Sequence, residues 1–187
     1  QGEEEKIVTE PLKILGAFSG GEVVPARFSL SAQCHRVPVS DGHLIAVRVR
    51  LAEPGRAGDL VQAWELFQGE PQRLQLPTAP ACPVHYLADI RAPQPRLHRH
   101  LDKGMGVAVG RLKQLAPKEF SFVVLSHNMI RGAAGAALLN AELLVRQHPE
   151  WFGTDFALSL TSRTGGQYEE AKGRVHAKNC CHSGGET

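Results

Sequence analysis

The sequence predicts an α+β fold in which helices pack on a mixed, largely antiparallel sheet. Apolar runs typical of strands are mixed with segments of helical spacing along the chain. The two kinds of segment do not follow the strict β-α-β alternation that builds a parallel sheet. The chain has 187 residues, which is enough to bury a core of its own.

Four runs are predicted to be strands. The runs 28–32 and 44–51 flank a corner that is rich in turn residues. The run 105–112 alternates in character, and 120–126 is continuously apolar, which is typical of a strand buried on both faces.

Helical segments precede and separate these strands. The first covers 3–15 and ends before Gly16, a common stop signal, while Pro11 inside it predicts either a kink or two short pieces. In the second, 59–67, apolar side chains recur every three or four residues.

The last helical segment, 132–144, is rich in alanine and leucine. Its Gly132 and Gly135 each cost roughly 1 kcal/mol of helix stability relative to alanine. We therefore expect packing or function to account for them.

Three stretches are expected to be less regular. The segment 71–95 is rich in proline and indicates a long connection with brief extended pieces, and 91–103 has the composition of a solvated, poorly ordered loop. Helical and strand patterns fade after residue 148, so 149–187 is interpreted as a poorly ordered C-terminal tail.

Composition excludes several classes of partner. The formal charge is +2, from 21 basic and 19 acidic residues, which gives no reason to expect nucleic acid or an anionic membrane surface. No apolar run approaches the ~20 residues of a membrane helix. Four sparse cysteines, and an acidic N-terminus without a secretion signal, favour a reduced, cytoplasmic compartment. Because the first residue is glutamine, we expect the chain to be a piece of a longer protein.

The corner between the first two predicted strands holds the most informative pair of side chains. It reads RVPVSDGH at 36–43, and its proline and glycine could turn Arg36 and His43 towards one cleft. Arginine presents a planar fork that fits a carboxylate, and histidine exchanges protons near neutral pH.

Two clusters of potential metal ligands are interpreted as solvated loop and tail. One is the run 98–100, and the other comprises the histidines and cysteines of 176–182. Zinc sites bring two pairs of ligands together across an intervening fold, which neither cluster does. No metal site is therefore predicted.

Three blocks of sequence occur in one order with plausible spacing. They are GEEEKIVTEPLKILG at 2–16, SAQCHRVPVSDGH at 31–43, and DKGMGVAVGRLKQ at 102–114 running on to FSFVVLSHNMIRGAAGAALLNAELL at 120–144. Together they resemble the dimerisation (catalytic) half of aspartate-semialdehyde dehydrogenases, particularly the archaeal and fungal branch.

This resemblance implies a fold like the C-terminal domain of glyceraldehyde-phosphate dehydrogenase. Residues 1–148 would form part of the dimerisation domain, and the protein would assemble as a homodimer or homotetramer. NADP would be bound mainly by an N-terminal Rossmann domain that this chain lacks, since no G-x-G-x-x-G opens a β-α-β unit in it.

The resemblance also implies an activity. Such enzymes reduce aspartyl phosphate to aspartate semialdehyde with NADPH and release phosphate, in the biosynthesis of lysine, threonine and methionine. A cysteine thiolate is the nucleophile. By position, His43 resembles the acid/base, and Arg36 the residue that binds the α-carboxylate of the substrate.

Three further residues are matched by position. Glu10 and Lys13 resemble an E-x-x-K pair on one helical turn, an anion for the substrate ammonium and a cation for the phosphate. Asn128 resembles an asparagine close to the nicotinamide.

The nucleophile of the family is expected upstream of residue 1. Cys34 does not occupy the motif of the nucleophile, and the Asn-Cys-Cys run at 179–181 comes last in the chain without a following helix. We therefore expect the isolated chain to be inactive. Two alternatives stay open: a malonyl-CoA reductase-like relative, and a non-catalytic dimerisation module from a truncated gene.

Overall fold

The computed structural model describes residues 2–152 of the chain. It divides into two compact units, Gln1–Pro38 and a second unit that begins at Val39. The predicted domain end at 148 stays a prediction, and the predicted tail lies beyond the described residues from position 153 onward.

The first unit is a helix followed by a hairpin. Helix α1 is Glu3–Ile14, with three acidic residues in its first turn and a lysine in its last, which complements the helix dipole. Pro11 lies inside this helix without dividing it. Strands β1 (Ala17–Ser19) and β2 (Glu22–Val24) pair antiparallel through a two-glycine turn in which both φ angles are positive.

The prediction of a strand over 28–32 is wrong. The structure has neither helix nor strand between residues 25 and 38. The backbone of this segment is joined to α1 instead, because the amide of Ala26 donates to the carbonyl of Leu12 at 2.8 Å. An apolar run becomes a strand only where a partner strand accepts its backbone hydrogen bonds, and within residues 2–152 this run has no such partner.

The second unit is built on a four-stranded sheet. The strands are β3 (His43–Arg50), β4 (Val84–Leu87), β5 (Val107–Ala116) and β6 (Glu119–Ser126). Their order is β3-β6-β5-β4, antiparallel except for the parallel pair β4 and β5. The predicted α+β class with a mixed, largely antiparallel sheet is confirmed.

Helical elements connect and follow these strands. They are α2 (Ala57–Glu65), α3 (Glu70–Arg73), α4 (Pro95–His98), a 3₁₀ turn (Leu101–Gly104), a π-helical turn (Ile130–Ala134), α5 (Gly135–Gln147) and a final 3₁₀ turn (Pro149–Trp151). The prediction of a poorly ordered loop over 91–103 is corrected, since that segment contains α4 and a 3₁₀ turn.

Aromatic and aliphatic side chains are buried on both faces of β6, since Phe120 and Leu125 lie five residues apart on a regularly paired strand. Trp64 of α2 contacts the rings of Tyr86 on β4 and Phe122 on β6. Phe120 and Leu125 of β6 are fully buried. Through Trp64, the apolar side of α2 packs against β4 at the edge of the sheet and against β6.

A second cluster joins α5 to the segments that precede β4 and β5. Leu76, Met105 and Leu139 are buried together. Gly135 is required here, because a Cβ at that position would overlap the sulfur of Met105. A Cβ at Gly132 would only reach ordinary contact distance, so packing accounts for one of the two glycines. Among residues 2–152, no helix is long and apolar enough to cross a membrane.

Candidate active site

Two of the predicted site residues meet at one end of the sheet. His43 begins β3 and pairs with Ser126, the last residue of β6. Asn128 follows two residues later. Because the strands are antiparallel, the start of β3 and the end of β6 lie side by side, and the structure brings His43 and Asn128 together.

A hydrogen bond closes this end of the sheet. The amide of Gly42 donates to Asn128 Oδ1 at 2.8 Å. Gly42 has φ of 106°, a conformation that disfavours any side chain, and a Cβ there would lie 3.2 Å from the Leu125 side chain. The glycine of the predicted corner is therefore needed where it stands, immediately before His43.

His127 fixes the other side of the junction, and sequence reasoning missed it. Its side chain is buried, with 4% of the residue exposed. Its Nδ1 accepts hydrogen bonds from the amides of Met129 and Ile130, at 3.2 and 3.4 Å. The ring thus caps the π-helical turn that follows β6 and is protonated on Nε2. A histidine at a strand-to-helix junction, beside a predicted site residue, was the available signal.

The segment before β5 packs against the same junction. The rings of His100 and His127 lie 5.2 Å apart. Gly104 has φ of 85°, and a Cβ there would overlap Ile130. His85 Nε2 and Asp102 Oδ2 are 2.6 Å apart, which joins this segment to β4. The end of the sheet is therefore held from several elements of the second unit.

The first unit carries the three residues predicted to bind substrate. Arg36 Nη2 lies 2.6 Å from Glu3 Oε1, and the two side chains are 84% and 54% exposed. Glu10 and Lys13 are exposed on α1 and form no ion pair with each other. The arginine is thus already bound to a carboxylate on the helix that carries the other two.

The predicted residues are divided between the units. Arg36, Glu10 and Lys13 belong to the first, and His43 and Asn128 to the second. That Arg36 and His43 face one cleft stays a prediction.

Resolved pKa shifts lie outside these residues. Arg91 lowers the pKa of the Asp89 carboxyl to about 2, through hydrogen bonds donated by its guanidinium and by its backbone amide. Arg48 likewise holds the pKa of Glu119 below its ordinary value, at the opposite end of the β3–β6 pair. Both carboxylates are therefore ionised and paired, and neither is a candidate proton donor near neutral pH.

Within residues 2–152, no group of three or more His, Cys, Asp or Glu side chains could hold a metal ion. His98 accepts a hydrogen bond from the amide of Gln94, and His100 from the guanidinium of Arg99. The cluster at 176–182 and the Asn-Cys-Cys run lie outside the described residues. Cys34 is free and exposed.

Comparisons with known proteins place this geometry in a family. The family model described as "Semialdehyde dehydrogenase, dimerisation domain" matches residues 1–131. Aspartate-semialdehyde dehydrogenase of Methanothermobacter thermautotrophicus is 49% identical over 145 residues, which are 76% of this chain and 42% of that protein. Malonyl CoA reductase (NADP) of Metallosphaera sedula is 38% identical over 150 residues, 78% of this chain and 42% of that protein.

A solved structure has the same fold. The crystal structure of aspartate semialdehyde dehydrogenase with NADP from Candida albicans matches with a TM-score of 0.71 at 42% identity. The match covers 77% of this chain and 42% of that one. This chain spans about two fifths of the length of the curated relatives it matches. It belongs to the semialdehyde dehydrogenase dimerisation-domain family.

Proposed function

We propose that this chain supplies the substrate-binding and proton-transfer residues of an NADP-dependent aspartate-semialdehyde dehydrogenase. The observation that carries the proposal is the extent of the family match. Residues 1–131 match the family model, and this range contains all five predicted site residues. The relative from Methanothermobacter, which is 49% identical, carries the name of that enzyme.

Arg36 would bind the α-carboxylate of the substrate. Its guanidinium already binds a carboxylate, that of Glu3, at 2.6 Å. An exposed pair of this kind contributes about 0–1 kcal/mol, so a substrate carboxylate could replace Glu3 at little cost. Glu10 and Lys13 would bind the substrate ammonium and the phosphate.

His43 would move the proton. In the oxidative direction it would take the proton of the nucleophilic thiol and give it to the alkoxide formed when the thiolate adds to the aldehyde. It would then take the proton back from that hydroxyl as the hydride leaves. Its ring is exposed and has no hydrogen-bond partner within residues 2–152. Both ring nitrogens are therefore available for this exchange.

The dinucleotide would exchange the hydride with the substrate carbon. The sequence has no G-x-G-x-x-G turn for the pyrophosphate, so residues beyond this chain would hold most of NADP. This chain offers the Nδ2 group of Asn128, whose oxygen is already occupied by Gly42. That donor fits a carboxamide oxygen such as the one of nicotinamide.

A chimera would test the proposal. The matching segment of the Methanothermobacter relative is replaced by residues 1–148 of this chain, and NADP reduction is followed with aspartate semialdehyde and phosphate. We expect phosphate-dependent turnover from the chimera and none from the isolated chain. A chimera that folds and binds NADP but gives no turnover would contradict the proposal.

The relative from Metallosphaera favours a second candidate, a malonyl-CoA reductase. The same chimera distinguishes the two substrates, because malonyl-CoA would then oxidise NADPH without added phosphate. Turnover with neither substrate, from a folded chimera, is the result expected of a non-catalytic dimerisation module.

A second copy of the chain is the proposed partner, as a homodimer or homotetramer. Strand β3 lies at the edge of the sheet, and its Leu44 and Ile45 are about half exposed. Apolar side chains on an edge strand favour association. Light scattering of the purified chain should give at least twice the monomer mass, and a strictly monomeric protein would contradict this.

A further inference from the structure

We infer that Asn128 is a positioning residue for His43, in addition to any contact it makes with a cofactor. The carrying observation is the hydrogen bond of 2.8 Å between the Gly42 amide and Asn128 Oδ1, which joins residues 86 positions apart. That this bond affects proton transfer rests on the function proposed above. The effect of the bond on the backbone at His43 is independent of that function.

The bond extends the β3–β6 ladder by one side chain. The last backbone rung pairs His43 with Ser126, and beyond it the chain enters the π-helical turn. A carboxamide carries the same C=O acceptor as a peptide group. Asn128 therefore supplies an acceptor to Gly42 beyond the point where the backbone ladder has ended.

Both ends of the bond are held in place. Gly42 has a positive φ, and a Cβ there would lie 3.2 Å from the Leu125 side chain. On the other side, His127 is buried, and its Nδ1 accepts hydrogen bonds from the amides of Met129 and Ile130. The Asn128 backbone thus lies between a strand and a capped turn.

His43 depends on this arrangement because its ring has no partner of its own within the described residues. The direction of the imidazole follows from the backbone at residue 43 and from its rotamer. That backbone is fixed on one side by the rung to Ser126 and on the other by the Gly42 amide. Loss of the Asn128 acceptor therefore frees the backbone on the Gly42 side of His43.

The two polar atoms of Asn128 then have separate roles. Oδ1 accepts from Gly42, and Nδ2 has no acceptor within residues 2–152. Aspartate at this position keeps an acceptor but has no donor, whereas alanine has neither. Asn128→Asp and Asn128→Ala therefore separate positioning from donation.

The bond itself is tested by NMR on the isotope-labelled 187-residue chain. A long-range HNCO spectrum should give a cross peak from the Gly42 amide to the side-chain carbonyl carbon of Asn128, beside those of the β3–β6 ladder. If the ladder peaks are present and this one is missing, the inference is overturned.

Amide exchange supplies the variant test. N128A should speed exchange at Gly42 by roughly five- to tenfold, the effect of one hydrogen bond, while N128D should leave it close to the wild-type rate. Asn140→Ala, at an exposed asparagine of α5, is the matched control and should change nothing at Gly42. Equal exchange in N128A and wild type would overturn the inference, and unchanged strand amides in each variant exclude unfolding.

Kinetics in the chimera connect the bond to His43. Both variants lose the donor, so both should raise KM for NADP by the same factor. Only N128A should also lower kcat, by about tenfold or more, because only it releases the corner. Equal kcat in the two variants would contradict the claim that the bond affects proton transfer. A chimera that is inactive throughout would contradict the proposed function instead, and the NMR result would stand.

Discussion

The two units hold their predicted site residues by different means. In the first, Arg36 is 84% exposed and is oriented by one surface ion pair with Glu3. In the second, His43 and Asn128 are joined through a strand rung and the Gly42 hydrogen bond, next to the buried His127 and Leu125. A surface pair contributes about 0–1 kcal/mol and exchanges readily, whereas a strand end is fixed by many coupled bonds. Substrate binding suits the first arrangement, and proton transfer at a defined point suits the second.

Truncation of a large apolar side chain should show the largest difference in stability between the two units. Phe120 is fully buried in β6, and Phe28 of the first unit is 41% exposed. Phe120→Ala should lower the free energy of unfolding by about 3–5 kcal/mol. Phe28→Ala is the matched control and should cost about 1 kcal/mol or less. Denaturant titrations measure both, and similar losses would contradict the stated difference.

Replacement of the Arg36 guanidinium tests whether the first unit binds the substrate carboxylate. Arg36→Lys in the chimera should raise KM for aspartate semialdehyde about ten- to a hundredfold, since one charge-assisted hydrogen bond contributes about 1.5–3 kcal/mol. Arg27→Lys, in the same irregular segment, is the control and should leave KM unchanged. If the two lysine variants have equal KM, Arg36 does not bind the carboxylate.

The glycine of the corner offers a test in the second unit. Gly42→Ala should destabilise the chain by about 1–2 kcal/mol, because φ is 106° there. Gly58→Ala is the opposite case, since Gly58 lies in α2 with open space around it. It should stabilise the chain by about 0.5–1 kcal/mol. Thermal unfolding measures the change in stability of each variant. If the two changes have the same sign, the stated difference between Gly42 and Gly58 is wrong.

The smallest expected effect is a titration. The pKa of Asp89 is lowered to about 2 by Arg91, so the interaction is complete above the ordinary carboxyl range and is lost as the pH falls through about 2. Arg91→Ala should return the midpoint towards 3.8, while Arg96→Ala should leave it unchanged. Carboxyl NMR shifts report the midpoint, and a value near 2 in R91A would contradict the cause given.

The local sequence pattern was enough to predict several strands and helices. It failed where the presence of a neighbouring strand decides the structure. The continuous apolar run at 120–126 became β6, and the run at 44–51 became β3, because each is long and pairs with the other. The run at 28–32 is similar in composition, but no strand in the described part of the chain pairs with it, so it is irregular. Strand β4 was anticipated only as a brief extended piece, since four residues between prolines carry no periodic signal.

The site shows the same limit. His43 was singled out from the corner at 36–43, whereas its acid/base role and the choice of Asn128 came through a resemblance. The proximity of the two residues follows from strand register. The bond from Gly42 to Asn128 spans 86 positions, and no local rule pairs residues at that separation. His127 escaped notice because its role depends on two amides of the π-helical turn, which is not a regular helix start.

Replacement of His43 tests the central claim most directly. In the chimera, His43→Gln should lower kcat with aspartate semialdehyde and phosphate by about 10²–10⁴-fold, the usual loss when a general acid/base is removed. His35→Gln, at an exposed histidine beside Arg36, should stay within about twofold of the parent. If H43Q retains the parent kcat, His43 does not move the proton, and the proposed role of the sheet end is wrong.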